Sequence, residues 1–174
     1  TSDVRFRQAV MYAMDRNFQR DVVWNGFGTV ATGPVSSKTN FYSDDVTIYD
    51  YNPDKAKELL EEMGYDGEAV RLLPLPYGET WQRWAEAIRQ NLTEVGINVE
   101  IDSTDVAGWN EKTSQWDYDM AFTYLYQYGD PALGVSRNYT ADRIQKGSPW
   151  NNVEGYDNPE LDEKWFAAAT MISP

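Results

Sequence analysis

Three tyrosines alternate with other residues in the stretch YLYQYGDPALG. Tyr124, Tyr126 and Tyr128 fall at every second position, and in a β-strand this spacing places their rings on one face. Aromatic rings supply flat apolar area with a polar tip, and Gln127 and Asp130 add fixed polar groups beside them. The stretch therefore has the chemistry of a surface that binds a small molecule. The structural alternative is that Tyr124 and Tyr126 pack in the core and that Gln127 is an ordinary strand residue.

Carboxylates surround the same tyrosines and suggest a second kind of chemistry. Asp117 and Asp119 precede the rings and Asp130 follows them. A pair of carboxylates among aromatic residues is what a glycosidase uses. No feature of the sequence marks a general acid, so we expect no catalytic residue, and a glycosidase fragment stays as an alternative.

The composition excludes several other functions. The sequence has no Cys and no His, so it cannot build a zinc site of the usual kind, a thiol nucleophile or a Ser-His-Asp triad. It has 28 acidic and 15 basic residues, a net charge of -13, and no basic cluster that would attract a phosphate-rich partner. We therefore expect no nucleic-acid partner, no metal and no cofactor.

Helices and strands alternate along the chain, and their order predicts an α/β fold. A first helix begins after the N-cap Asp3. The clearest helix has Asn52 as its N-cap and Pro53 in its first turn, and it ends at Gly64. The next elements, AVRLLPL, a helix that stops at Gly96, and INVEIDS, form a βαβ unit.

The later elements place the tyrosines at the end of a strand. A helix, AGWNEKTSQW, leads into a strand that we expect to run from near Asp117 through the tyrosines. Ligands of open α/β sheets bind beyond the carboxyl ends of the strands. A short helix follows from Pro131, and a last helix has Asn158 as its N-cap. The predicted inner face of that last helix consists of Leu161, Trp165, Ala168, Ala169 and Ile172.

Four blocks of the sequence carry a family resemblance. They are DVRFRQAVMYAMDRNFQRDVVWNGFGTVATGPV, YDYNPDKAKELLEEMGY, YDMAFTYLYQYGDP and NNVEGYDNPELDEKW. In this order they resemble the dipeptide-, oligopeptide- and nickel-binding family of bacterial solute-binding proteins, the extracytoplasmic receptors of ABC importers. The resemblance implies one lobe of a type II periplasmic-binding-protein fold, with a mixed sheet flanked by helices. We expect residues 1–174 to form a single α/β lobe from the C-terminal half of a longer two-lobed receptor.

The resemblance also implies a ligand site and a function. Family members close two lobes over the ligand, and Tyr124, Tyr126, Tyr128, Gln127 and Asp130 are implied to line that cleft from this lobe. The implied function is delivery of a peptide or similar small polar solute to the permease subunits of an ABC importer. The implied location is the periplasm, with the remaining lobe and a signal peptide supplied by the parent protein.

One departure from the family pattern leaves more than one class of ligand possible. Peptide-binding members commonly carry an aspartate at the place of Gln127, and that aspartate pairs with the α-amino group of the peptide. A neutral amide cannot supply this ion pair. An oligosaccharide or an opine-like compound is therefore an alternative ligand, and a stand-alone sugar-binding module is an alternative outside the receptor class.

Three further residues are candidate ligand contacts, each with a structural alternative. Trp109 lies on the helix before the strand, where the family often presents a tryptophan to the ligand, but it could instead pack in the core. Trp24 lies in loop-like sequence, where it could form a contact surface or could instead anchor the loop. Arg137 could reach an acidic group of a ligand or form a structural ion pair. Asp130, named above, also has a structural alternative, because it precedes a proline and could hold the turn backbone rather than the ligand.

Overall fold

Short parallel strands alternate with helices in the chain, of which a computed structural model describes residues 2–170. The helices are α1 (Val4–Ala13), α2 (Arg16–Phe18), α3 (Pro53–Met63), α4 (Glu79–Glu94), α5 (Val106–Gln115), α6 (Pro131–Gly134) and α7 (Pro159–Thr170). The strands are β1 (Val70–Leu73), β2 (Val99–Ile101) and β3 (Met120–Ala121). A π-helical turn, Gln19–Val23, follows α2, and 3-10 turns lie at Ser136–Asn138 and Ala141–Arg143. Within the described residues no helix has both the length and the apolar composition of a membrane span.

The predicted helix ends are confirmed by their capping bonds. The side chain of Asp3 accepts a hydrogen bond of 2.8 Å from the backbone N–H of Arg5 at the start of α1. Asn52 accepts one of 3.0 Å from the N–H of Lys55 at the start of α3. This helix ends at Gly64, whose φ of 70° is in the left-handed region that favours glycine.

The sheet has the strand order β2-β1-β3, with both neighbouring pairs parallel. Val70 of β1 pairs with Val99 of β2, and Leu73 pairs with Ala121 of β3. Leu73 is fully buried, as expected for a central strand covered on both faces. The parallel pairing of β1 and β2 on either side of α4 confirms the βαβ unit and the α/β class. All strand pairs in the described residues are parallel, where we expected a mixed sheet.

The chain divides into two compact units, which we describe separately. The first unit comprises the chain up to Val30, Thr47–Trp109 and Tyr118–Phe122. The second comprises Ala31–Val46, Asn110–Asp117 and the chain from Thr123 onward. The expectation of one lobe over residues 1–174 stays a prediction.

The interiors of the two units differ in chemistry. The first unit buries an apolar core that includes Leu72, Leu92 and Ile97. In the second unit, within the described residues, Pro131 and Val135 are the only apolar side chains that are buried. The buried polar side chains of that unit are Thr39, Thr113, Ser114, Asn138, Thr140 and Asn152. The buried side chains of the second unit are thus mostly polar, whereas those of the first are mostly apolar.

The strand predicted through the tyrosines is much shorter than expected. Its ladder ends at Ala121, and the last bond to the sheet runs from the N–H of Phe122 to the carbonyl of Leu73, at 2.9 Å. Beyond Leu73, β1 continues into Pro74 and Pro76, which have no N–H to donate. The tyrosines consequently lie in irregular backbone after the strand.

The prediction of a buried inner face for α7 is also wrong for the second half of the helix. The N-cap is confirmed, because Asn158 accepts a bond of 3.2 Å from the N–H of Leu161. Leu161 and Trp165 are half-buried, but Ala168 and Ala169 are exposed. Ile172 lies outside the described residues. An apolar stripe is buried only where another element covers it, and residues 2–170 supply no such cover here.

Candidate functional site

The tyrosine segment, which we define as Thr123–Asp130, presents a continuous row of aromatic rings. The ring of Tyr124 contacts that of Tyr126 edge-on, with centroids 5.3 Å apart, and Tyr126 contacts Tyr128 at 5.7 Å. Trp150 extends the row, with its centroid 5.1 Å from that of Tyr124. These separations are typical of favourable aromatic pairs. The segment and Trp150 therefore form an aromatic surface of four rings.

Two rings of this surface are open to solvent. Tyr126 is 56% exposed and Tyr128 is 64% exposed, whereas Tyr124 is half-buried. Tyr128 also has a φ of 49°, in the left-handed region that residues other than glycine rarely adopt. Such a conformation costs on the order of 1–3 kcal/mol, and conformations of this kind cluster at functional sites.

Gln127 ties the tyrosine segment to a distant loop. Its Nε2 donates a hydrogen bond of 3.0 Å to the carbonyl of Pro34, and its Oε1 accepts one of 3.2 Å from the N–H of Ser36. The amide supplies one donor and one acceptor, which a carboxylate cannot do. The structure thus gives Gln127 a positioning role, and its contact with a ligand stays a prediction.

Replacing Gln127 by glutamate is expected to destabilise the purified chain by about 1–3 kcal/mol at neutral pH. The carboxylate still accepts from Ser36, but its second oxygen faces the carbonyl of Pro34 without a proton between them. Urea unfolding measures this loss. The loss should shrink below about pH 4, where a glutamate becomes protonated and can donate again.

The control for this prediction is Gln145→Glu, which makes the same chemical change at an exposed position of the same unit. Equal effects of the two substitutions would show that the bond to Pro34 contributes nothing.

Asp130 and Gly134 dock α6 against the tyrosine segment. A side-chain oxygen of Asp130 accepts a bond of 2.8 Å from the N–H of Ala132, so Asp130 is the N-cap of α6. A Cβ on Gly134 would overlap the carbonyl oxygen of Tyr126 and lie 2.8 Å from its carbonyl carbon. The helix therefore lies directly on the backbone of the segment, which only glycine permits.

Arg137 follows α6 in a 3-10 turn and is half-buried. Its Nε is buried and has no hydrogen-bond partner within residues 2–170. The structural ion pair that was the alternative for Arg137 is absent from this described part of the chain.

Asn152 fixes the segment that carries Trp150. Asn152 is fully buried, and its Nδ2 donates to the carbonyls of Thr140, at 3.1 Å, and Tyr156, at 2.7 Å. Its Oδ1 accepts a bond of 2.9 Å from the N–H of Tyr156. One side chain thus closes the turn after Trp150 and holds it to the 3-10 turns. Burial raises the pKa of the neighbouring Tyr139 to about 12, so its hydroxyl stays protonated at neutral pH.

A tryptophan cluster in the first unit contains Trp24. Its ring meets those of Trp81 and Trp84 edge-on, at 5.2 and 5.6 Å, and Trp84 stacks on Phe122 at 4.6 Å. The buried Gln19 accepts a bond of 2.9 Å from the Nε1 of Trp84. Phe122 directly follows β3, so the cluster lies at the carboxyl end of that strand. Trp24 therefore anchors its loop, and its contact with a ligand stays a prediction.

Trp109 and Asp119 are both engaged in the interior or the sheet of the first unit. Trp109 is 1% exposed, which favours the core-packing alternative. Asp119 accepts bonds from the N–H and the Nε of Arg71, at 2.8 and 3.3 Å, and so forms an ion pair on the sheet. Within residues 2–170 no cluster of acidic side chains is placed to hold a metal ion.

The structure brings most of the predicted site residues into one unit. The second unit contains Tyr124, Tyr126, Gln127, Tyr128, Asp130 and Arg137. Trp24 and Trp109 lie in the first unit. The sequence candidates therefore fall into one group around the tyrosine segment and two residues outside it.

Sequence reasoning did not single out Trp81, Trp84 or Gly134 as parts of a site. The position of Trp81 and Trp84 at the start of the helix after β1 was a usable signal, because that turn lies at the carboxyl edge of the sheet. The role of Gly134 left no such signal, because it depends on the backbone of Tyr126 packing against α6.

Solved structures with the same fold define the class of protein. The chain matches the ABC transporter substrate-binding protein CtaP from Listeria monocytogenes with a TM-score of 0.85 and 26% identity, over 97% of this chain and 34% of that one. It matches AgaA from A. tumefaciens R10, solved in complex with agropinic acid, with a TM-score of 0.79 and 27% identity, over 97% of this chain and 35% of that one. The fold is therefore that of periplasmic binding proteins, as the sequence predicted.

The chain belongs to the family described as bacterial extracellular solute-binding proteins, family 5, whose middle region matches residues 1–146. Among curated relatives, the dipeptide-binding protein of Escherichia coli K12 is 35% identical over 86% of this chain and 29% of its own length. The chain thus spans about a third of the length of the relatives that it matches. The predicted family is confirmed, and these relatives are binding proteins rather than enzymes.

Proposed function

We propose that the chain is the ligand-binding part of an extracytoplasmic solute-binding protein that delivers a peptide or similar small polar solute to an ABC importer. The observation that carries this proposal is the aromatic surface of the tyrosine segment. Tyr126 and Tyr128 expose more than half of their area in a chain of this family. A row of exposed rings with fixed polar neighbours suits a small polar solute.

The location and partners follow from the same proposal. Membership in a family of extracellular solute-binding proteins supports a periplasmic location. The permease subunits of the importer and the remaining lobe of the parent protein are its proposed partners. The length of the relatives supports the remaining lobe, because this chain covers about a third of them.

Binding without catalysis is part of the proposal. Two of the three carboxylates near the tyrosines have partners that support a structural role: Asp119 forms an ion pair with Arg71, and Asp130 forms the N-cap bond of α6. A glycosidase needs one carboxylic acid as a proton donor and one carboxylate as nucleophile or base. These two aspartates are instead engaged with a guanidinium and a backbone N–H.

An opine-like ligand is the second candidate. AgaA, which was solved with agropinic acid, is 27% identical to this chain. The neutral Gln127 also supports this candidate, because a peptide amino group would find no carboxylate at that position.

The test uses the full-length protein and two single substitutions, Tyr126→Ala and Tyr128→Ala. A thermal-shift screen of dipeptides, opines and oligosaccharides first identifies a stabilising solute, and calorimetric titration then gives its Kd. Each substitution removes an exposed ring, and we expect each to weaken binding by about tenfold, which corresponds to about 1.4 kcal/mol.

Tyr51→Ala is the matched control, since Tyr51 is 43% exposed and belongs to the first unit. Affinities of both segment variants within twofold of the wild type would contradict the proposed site.

A further inference from the structure

Arg137 differs from the other arginines of the described chain in having no partner. Six arginines pair with carboxylates: Arg5 with Asp3, Arg20 with Asp21, Arg71 with Asp119, Arg83 with Glu79, Arg89 with Glu86 and Arg143 with Asp142. Arg7 and Arg16 donate to the carbonyls of Ser2 and Tyr49. Within residues 2–170, neither an ion pair nor a hydrogen bond holds the guanidinium of Arg137, and its Nε is buried without an acceptor.

This isolation is unusual in a chain with so many acidic groups. The sequence carries 28 acidic residues against 15 basic ones, so carboxylates are abundant. A buried donor without an acceptor is destabilising. The missing acceptor is therefore expected to come from outside the described chain.

The helical stretch after Asp130 places Arg137 beside the tyrosine segment. Backbone bonds continue from α6 into the 3-10 turn, from Val135 to Pro131 at 2.9 Å and from Asn138 to Val135 at 3.0 Å. Gly134 packs against the backbone of Tyr126. Residues three apart lie on the same side of such a stretch, so Arg137 extends the side that faces the segment.

The two charged side chains of this region differ in their partners. From residue 123 to residue 139 the sequence has one acidic residue, Asp130, and one basic residue, Arg137. Asp130 caps α6, and the amide of Gln127 is bound to the loop at Pro34 and Ser36. The region therefore offers a solute a guanidinium without a partner among the described residues, whereas its one carboxylate is bound to a backbone N–H.

We infer that Arg137 binds a carboxylate of the transported solute beside the aromatic surface. This inference rests on the proposed function and specifies the charge of its ligand. A guanidinium pairs side-on with a carboxylate through Nε and one terminal nitrogen, which gives the buried Nε its acceptor. Because no hydrogen bond or ion pair within the described residues holds the guanidinium, it can turn toward the solute without breaking such a bond.

The test uses the full-length protein and three matched pairs of probes. They are dialanine and its amide, galacturonate and its methyl ester, and succinate and succinamide. We expect at least one carboxylate to raise the melting temperature and its amide or ester to lose that effect. Arg137→Gln should weaken binding of that carboxylate by about tenfold to a hundredfold. Arg137→Lys should weaken it by less, because lysine keeps the positive charge but cannot donate two parallel hydrogen bonds.

Arg143→Gln is the control, because Arg143 is an exposed arginine of the same unit that pairs with Asp142. Three results would overturn the inference: no probe carboxylate stabilises the protein, Arg137→Gln binds as the wild type does, or Arg137→Gln lowers the melting temperature without ligand and leaves affinity unchanged. The last result would assign the missing acceptor to the parent protein. None of the three contradicts the aromatic site, which the tyrosine substitutions test separately.

Discussion

Replacing Gly134 by alanine is expected to destabilise the chain by about 1–3 kcal/mol, although alanine is the better helix former. The added methyl group would overlap the carbonyl of Tyr126 and lie 3.2 Å from the ring carbon Cδ2 of Tyr128. Backbone atoms cannot turn aside as a flexible side chain can, so α6 or the tyrosine segment must shift. Helix propensity alone would give the opposite sign, a gain of about 1 kcal/mol. Thermal unfolding of the purified chain shows whether the substitution lowers or raises the stability of the folded state.

The matched control is Gly33→Ala in the same unit. A Cβ on Gly33 meets no atom within 4 Å, so this variant should melt at or slightly above the wild type. If Gly134→Ala melted no lower than Gly33→Ala, the close approach of α6 to Tyr126 would be refuted.

Replacing Asn152 by alanine is expected to cost about 3–5 kcal/mol. The change removes a fully buried side chain and leaves three backbone groups without their partner: the carbonyl of Thr140, in a buried bond, and the carbonyl and N–H of Tyr156, in part-buried bonds. Each unsatisfied buried group costs about 1–3 kcal/mol, and the three losses are not additive. Urea unfolding measures the loss, and hydrogen exchange at Tyr156 should speed up.

The comparison for this prediction is Asn158→Ala. That substitution removes one capping bond, to Leu161, and should cost about 0.5–2 kcal/mol. A loss from Asn152→Ala no greater than that from Asn158→Ala would show that the buried network adds little to stability.

Local chemistry made the helix ends and the βαβ unit predictable from the sequence. Asp3 and Asn52 cap the helices that follow them, and Gly64 ends the second in a left-handed conformation. Each of these features depends on residues a few positions apart. The extent of β3 was not predictable in this way, because it depends on where its neighbour β1 meets Pro74.

The sequence predicted which aromatic residues belong to the candidate site but not the backbone that carries them. The period of two predicted one face of a strand, whereas the structure places the tyrosines in irregular backbone, where the ring of Tyr126 contacts those of Tyr124 and Tyr128. The hydrogen bond from Gln127 to Pro34 joins residues 93 positions apart, and no local sequence pattern predicts it. The contact of Gly134 with Tyr126 likewise depends on how the chain folds back after the turn.

The polar interior of the second unit affects how its stability changes with temperature. Exposure of apolar surface raises the heat capacity on unfolding, whereas exposure of polar surface lowers it. Because Pro131 and Val135 are its only buried apolar side chains among the described residues, this unit should have a heat-capacity increment below the roughly 12–15 cal/mol/K per residue of globular proteins. Its stability curve is then flatter than that of the first unit, and cooling weakens it less.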